Sequence, residues 1–316
     1  MKLTFLLLKL VITASLCFWL YTRVDLQTLR ESLARLGVLP IVIGVLLHVV
    51  VVFLSASRWW LLLTHTHTAT SFSKAFPSYY LGVFFNNFLP TGFGGDTVRI
   101  LHLRVRGVST KSLVSASVVD RATGFATIFI VGMIGVLVAD ELRISNHAKT
   151  VLIMLFLIGL LATGITLSSH SGRFIESLAR KYRHARVRAW ILDVILTCYS
   201  YRAARYRILI AIAISVIGQG LIILTYYIIG RRLGLSLSIA TYLVAIPAVF
   251  LAASLPVSIG GLGIREGTLV GMLVAAGADL QLAINLSLVY LVVLWISTLP
   301  GALVPLLSRA SKIAPS

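Results

Sequence analysis

An all-α, polytopic membrane protein is the fold class this sequence predicts, and three observations predict it. Apolar residues fill 58% of the 316 positions and charged residues only 12%, against about 45–50% and about 25% in soluble domains. The apolar residues gather into runs long enough to cross a hydrocarbon core, which takes about 20 residues of helix. Those runs lack the alternation of barrel strands, so helices remain as the way to satisfy the backbone inside a bilayer.

Six segments are long enough to span: roughly 3–22, 39–63, 112–138, 150–169, 208–230 and 281–307. The first carries Lys2 and Lys9 but no small-residue cleavage site after its apolar stretch, so it reads as an uncleaved span. Two further apolar regions, about 75–108 and 238–278, are interrupted by Pro and Gly near their middles. Each reads as two short helical arms joined by unwound backbone, either a re-entrant hairpin or a broken crossing. The count is then about six full spans, or up to eight, in a single transmembrane domain over 1–316. Its halves are expected at about 39–138 and 208–307.

Charge sets the orientation. The net charge is +18, which in a soluble protein would point to nucleic acid; here the basic residues sit between spans, so no nucleic-acid partner is expected. Residues 170–207 hold nine basic positions, among them Arg173, Arg180 and Arg207, opposed by Glu176 and Asp193. By the positive-inside rule this loop is cytoplasmic, and both termini fall on the same side. Within it, residues 187–200 place Trp190, Ile191, Val194 and Cys198 at helical spacing, as a helix at the headgroup layer or one packed on the bundle.

A duplicated motif is the most informative feature. Leu89-Pro90-x3-Gly94-Gly95-x3-Arg99 recurs as Leu255-Pro256-x3-Gly260-Gly261-x3-Arg265 with identical spacing, once in each interrupted region. Pro90 and Pro256 break a helix by removing a donor. The glycine pairs permit unusual backbone angles and close approach. A helix restarting after them directs free N–H groups and its positive dipole end into the gap, and Arg99 and Arg265 add bidentate anion partners. The residues so assigned to a substrate site for phosphate or carboxylate are Gly94, Gly95, Arg99, Gly260, Gly261 and Arg265. The alternative is that these residues only kink packed helices. If each interrupted region returns to its own side, three spans, an odd number, separate the two and the repeat is inverted, the arrangement in which transporters place a site between halves.

Four more ionisable residues join the motif. Asp96, Asp120, Arg121 and Glu266 lie at or near membrane depth, where charge is expensive and is paired or lines a wet cavity. One network coupling Arg99 and Arg265 with Asp96, Asp120 and Glu266 is expected, for coupling or charge balance; structural ion pairs or headgroup anchoring are the alternatives. Arg58 with Trp59 and Trp60 reads as an interfacial anchor, and Asn86 and Asn87 as caps on backbone in the cavity. His65 and His67 lack further ligands and the two cysteines, Cys17 and Cys198, follow no metal spacing. No metal, no cofactor and no catalytic residue is expected, since no nucleophile, phosphate-loop or metalloprotease motif occurs.

At these residues the chain resembles the lysylphosphatidylglycerol synthase transmembrane-region family of flippase-like membrane proteins. The resemblance rests on Leu89-Pro90…Gly94-Gly95-Asp96…Arg99, on Val119-Asp120-Arg121, and on Pro256…Gly260-Gly261-Leu262-Gly263…Arg265-Glu266-Gly267. It covers nearly the whole chain and implies a non-enzymatic protein of a prokaryotic inner membrane that moves an anionic amphiphile between leaflets. The implied substrate is a phospholipid or a polyprenyl-phosphate-linked lipid, and the implied partner a glycosyltransferase or other envelope-lipid enzyme. Lysylphosphatidylglycerol synthesis is not expected, because the soluble aminoacyl-transferase domain of the fused members is missing from this sequence. A secondary transporter of a small anion, or a subunit presenting lipid to a partner transferase, are the competing functions.

Overall fold

The computed structural model describes residues 2–66, 68, 70–89, 94–138, 146–166, 185–201 and 203–305. Among them are twelve helices and no strand: α1 (Lys2–Tyr21), α2 (Leu26–Leu36), α3 (Leu39–His65), α4 (Phe72–Asn86), α5 (Gly94–Arg104), α6 (Thr110–Val138), α7 (Asn146–Thr166), α8 (Ala185–Ser200), α9 (Arg205–Leu233), α10 (Ile239–Ser254), α11 (Ile264–Ala275) and α12 (Leu280–Thr298). Pro90, His67, the loop 139–145 and residues 167–184 of the basic loop lie outside the described residues.

Among the described residues four helices are long and apolar enough to cross a membrane unaided: α3, α6, α9 and α12, the last continuing to Pro305. At 1.5 Å per residue, the 27 residues of α3 extend about 40 Å, more than the hydrocarbon thickness. The segment 3–22 is a helix that turns by 81° into α2. Asp25 starts α2 by accepting from the Gln27 amide at 3.0 Å, and the polar residues of Leu26–Leu36 keep it from continuing the apolar run. In 150–169 the described apolar stretch is Lys149–Gly164.

Each interrupted region holds a pair of antiparallel helices. α5 runs back along α4: Ser78 Oγ meets His102 Nδ1 at 2.7 Å near one end, and Asn86 meets Gly95 at the other. α11 runs back along α10 in the same way, Met272 packing on the apolar cluster of Val136, Phe156 and Val244, and Gly261 lying beside Ala253. The hairpins sit among the four long helices. α6 packs on α9 and α10, as α12 packs on α3 and α4, and α3 lies along α9. Exchanging α3–α6 for α9–α12 maps these neighbour relations onto one another.

Small residues permit that closeness. A Cβ on Gly135 of α6 would lie 2.6 Å from the Leu243 carbonyl oxygen of α10, and one on Gly301 would lie 2.5 Å from that of Tyr80 on α4. Packing without side chains in the way is how membrane helices gain dispersion contact where no hydrophobic gradient drives them together. The outward faces are apolar, with Leu46, Val50 and Phe53 on α3 and Leu209, Ile217 and Leu224 on α9 exposed, as a lipid-facing wall requires.

Helix α8 packs on the bundle. Ser115 Oγ of α6 donates to the Val194 carbonyl at 3.3 Å, the Cys198 thiol reaches the Ser115 carbonyl at 3.9 Å, and Lys111 pairs with Asp193 at 3.4 Å. Burial pushes the Cys198 thiol up to about 11. The side chains of Trp190 and Ile191 lie outside the described residues.

Candidate functional site

The tips of the two hairpins touch. The Gly260 amide donates to the Leu89 carbonyl oxygen at 3.3 Å, and a Cβ on Gly260 would collide with the Asn87 carbonyl. The second tip turns on Gly260, Gly261 and Gly263, with φ of 58°, 76° and 81°, a region costly for any residue with a Cβ. Pro256 lies at the start of this turn, after α10 ends at Ser254. The first glycine pair works differently: Gly94 and Gly95 lie inside the first turn of α5. There Gly95 lets α5 press on α4, since its Cβ would collide with the Gly82 carbonyl. One motif therefore serves a left-handed turn in one half and close helix contact in the other.

Both restarted helices cap themselves. Asn86 Oδ1 accepts from the Gly95 amide at 3.1 Å, and Glu266 Oε2 accepts from the Gly263 amide at 2.6 Å. At each helix start the sequence thus supplies a side-chain acceptor for one of the N–H groups expected to point into the gap, since a bare donor in an apolar setting is costly.

The expected single charge network divides in two. In the first cluster Arg99 is buried with its guanidinium between the rings of Trp59 and Tyr79, 4.5 and 4.7 Å from their centroids. It pairs with Asp96 at 2.9 Å and Asp120 at 3.0 Å. Arg58 Nε holds the other oxygen of Asp120 at 2.7 Å and donates through Nη1 to Ser215 Oγ. Arg121 Nε pairs with Asp96 at 2.6 Å. Helices α3, α5, α6 and α9 are thereby tied through Asp120, Asp96 and Ser215. In the second cluster, Glu266 receives Arg265 at 2.9 Å as well as the Gly263 amide. Among the described residues no ion pair joins Arg265 or Glu266 to Asp96 or Asp120; each helix break carries its own carboxylates.

Arg58 is likewise corrected from an interfacial anchor to a buried network member, and Trp59 is fully buried with its Nε1 on Ser117 at 3.2 Å. The nearby tryptophans masked the signal, which was Arg58's place seven residues inside the end of a 27-residue apolar helix. Tyr79 and Ser215 were also missed; nothing in their local sequence distinguishes them. Asn86 caps as expected, while Asn87 donates to Thr298 Oγ1 at 2.9 Å.

Two adjoining cavities lie between the halves. The smaller, about 270 Å³, is lined by Gly95, Asp96, Arg99 and Asp120. The larger, about 360 Å³, is lined by Gly260, Gly261 and Arg265; Arg58, Tyr79, Asn86 and Arg121 line both. Of the charged residues lining the larger cavity, all three are arginines: Arg58, Arg121 and Arg265. Much of its remaining wall is aliphatic, including Val51, Val83, Ile128 and Ile222. Among the described residues no group of acidic, Cys and His side chains is placed to hold a metal ion.

Comparison with known proteins agrees with this architecture. The chain is 24% identical to a UPF0104 membrane protein of Pyrococcus horikoshii, an alignment covering 98% of this chain and 99% of that one. No solved structure matches it. Residues 6–301 match the family described as the lysylphosphatidylglycerol synthase TM region, and the chain belongs to that family.

Proposed function

We propose that this protein moves an anionic amphiphile, a phospholipid or a polyprenyl-phosphate-linked lipid, between the leaflets of a prokaryotic inner membrane without catalysing a reaction. One observation carries the reading: a cavity where the hairpin tips meet, with three arginines and no carboxylate among its described lining residues and an otherwise largely aliphatic wall. Arginine forks match phosphate oxygens, and an aliphatic wall suits chain carbons close to the headgroup. A volume of about 360 Å³ fits a headgroup but not a whole lipid, so the tails stay in the bilayer.

Arg265 and Arg121 are the residues assigned to the anion. Arg99 and Asp120, enclosed and mutually paired, position the wall; Asp96 and Glu266 balance charge when no anion is bound. The exchange relation between α3–α6 and α9–α12 supports an inverted repeat, with rocking of one half against the other as the transport motion. Both termini are then cytoplasmic, and a glycosyltransferase or other envelope-lipid enzyme is a fitting partner. The test is reconstitution. Protein in vesicles accelerates dithionite bleaching of inner-leaflet fluorescent phosphatidylglycerol over protein-free vesicles. Unchanged bleaching contradicts the proposal, and uptake of a soluble organic phosphate instead favours the small-anion transporter.

A further inference from the structure

We infer that the larger cavity carries a second, uncharged subsite, formed by Gln219 and Ser258, which holds a hydroxyl-bearing part of the headgroup such as a glycerol or a sugar. This rests on the anionic-lipid reading above and specifies its substrate further.

Two buried polar groups in the cavity wall have no internal use. Gln219 is 8% exposed and Ser258 3%; both line the cavity, and among the described residues neither Gln219 Nε2 nor Ser258 Oγ has a hydrogen-bond partner. Unpartnered buried donors are rare in native structures because each forfeits the hydrogen bonds it made to water. Their neighbours are fully engaged: Ser215 accepts from Arg58 and donates to Ala211 at 2.7 Å, and the Ile259 amide next to Ser258 donates to Thr13 Oγ1 at 3.0 Å. Among the described residues these are the two fully buried side-chain polar atoms of this wall that lack a partner.

Placement sets what they can hold. Gln219 lies four residues beyond Ser215 on α9, on the face shared with Ile222 and Tyr226. That is about 6 Å along the axis from the side chain that orients Arg58. Ser258 stands two residues before Gly260 in the second tip. A phosphate held by the arginines would therefore have an amide donor and a hydroxyl a few bonds away. An amide N–H donates and a serine hydroxyl both donates and accepts. A ligand hydroxyl answers both roles, while a second phosphate would meet no additional positive charge at these two side chains.

The experiment compares two lipids that differ only in hydroxyls. Purified full-length protein is titrated with phosphatidylglycerol and with phosphatidylpropanol of the same acyl chains, and bound lipid is counted by native mass spectrometry. Wild type is expected to prefer phosphatidylglycerol by about threefold to tenfold, the value of one or two net hydrogen bonds. Gln219→Leu and Ser258→Ala are each expected to move that ratio towards one. Equal binding of the two lipids by wild type, or an unchanged ratio in both variants, overturns the subsite alone. Binding of neither lipid overturns the anionic-lipid reading together with the subsite.

Discussion

The Gly260 amide and the Leu89 carbonyl oxygen, 171 positions apart in the chain, are joined by a hydrogen bond of 3.3 Å. Backbone of one helix break is thus completed by backbone of the other. A donor at the second tip finds its acceptor at the first, so neither tip is fully satisfied alone, and separating them during a transport cycle requires replacement partners such as water or a ligand.

Gly260→Ala is expected to damage that junction twice. It places a Cβ at φ 58°, a cost of about 1–2 kcal/mol, and drives it into the Asn87 carbonyl. The variant lowers thermal stability in detergent and slows lipid movement. Gly271→Ala, where a Cβ meets nothing within 4 Å, is the control and leaves stability unchanged or slightly raised.

Gly95→Ala tests the different role of the first glycine pair. Its Cβ collides with the Gly82 carbonyl, so α5 must shift off α4, and overpacking of this kind costs about 1–3 kcal/mol. Because α5 carries both Asp96 and Arg99, the loss is expected to include disorder of the charge cluster, visible as a lowered and broadened melting transition.

Asp120→Ala leaves Arg58 and Arg99 buried without their shared carboxylate. Breaking a buried pair from one side costs about 3–5 kcal/mol. Asp96→Ala is expected to cost less, since Asp96 is 17% exposed against 4% for Asp120. Thermal denaturation of the two variants in one detergent checks the order; equal losses would contradict it.

Cys198 reports the docking of α8. Its thiol is pushed up to about 11 from an ordinary 9.0, chiefly by burial, so the native protein holds the neutral form more tightly than the unfolded chain does. The associated stability is complete below pH 9 and declines as pH rises from 9 towards 11. In a Cys17→Ser background, alkylation at pH 8 is expected to run about a hundredfold slower in the native protein than in the denatured chain, because the thiolate is the reactive form. Near-equal rates would mean that α8 is not packed against α6.

The membrane class was legible because it depends on composition and run length, which tertiary contacts do not alter. Leu89-Pro90 and Leu255-Pro256 announced two breaks, and the structure puts Leu89 and Gly260 in contact. What the residues did not reveal was division of labour. The two glycine pairs look alike, yet only Gly260 and Gly261 take left-handed angles, a difference set by what packs behind each tip. Arg99 and Arg265 occupy matched positions, yet Arg99 is enclosed by Asp96 of its own helix and by Trp59, Tyr79 and Asp120, partners brought from α3, α4 and α6 by folding. Nor did they reveal that one amide at each helix start is capped, by Asn86 and Glu266, nine and three residues away.

The central claim is that Arg121 and Arg265, one from each half, hold a single anionic headgroup in the cavity between the hairpin tips. Its most direct test is the rate of phosphatidylglycerol movement in vesicles containing the Arg121→Gln/Arg265→Gln double variant, with folding checked by gel filtration and melting temperature. The account predicts a rate close to that of protein-free vesicles, with each single variant in between. A folded double variant that moves the lipid as fast as wild type would contradict it.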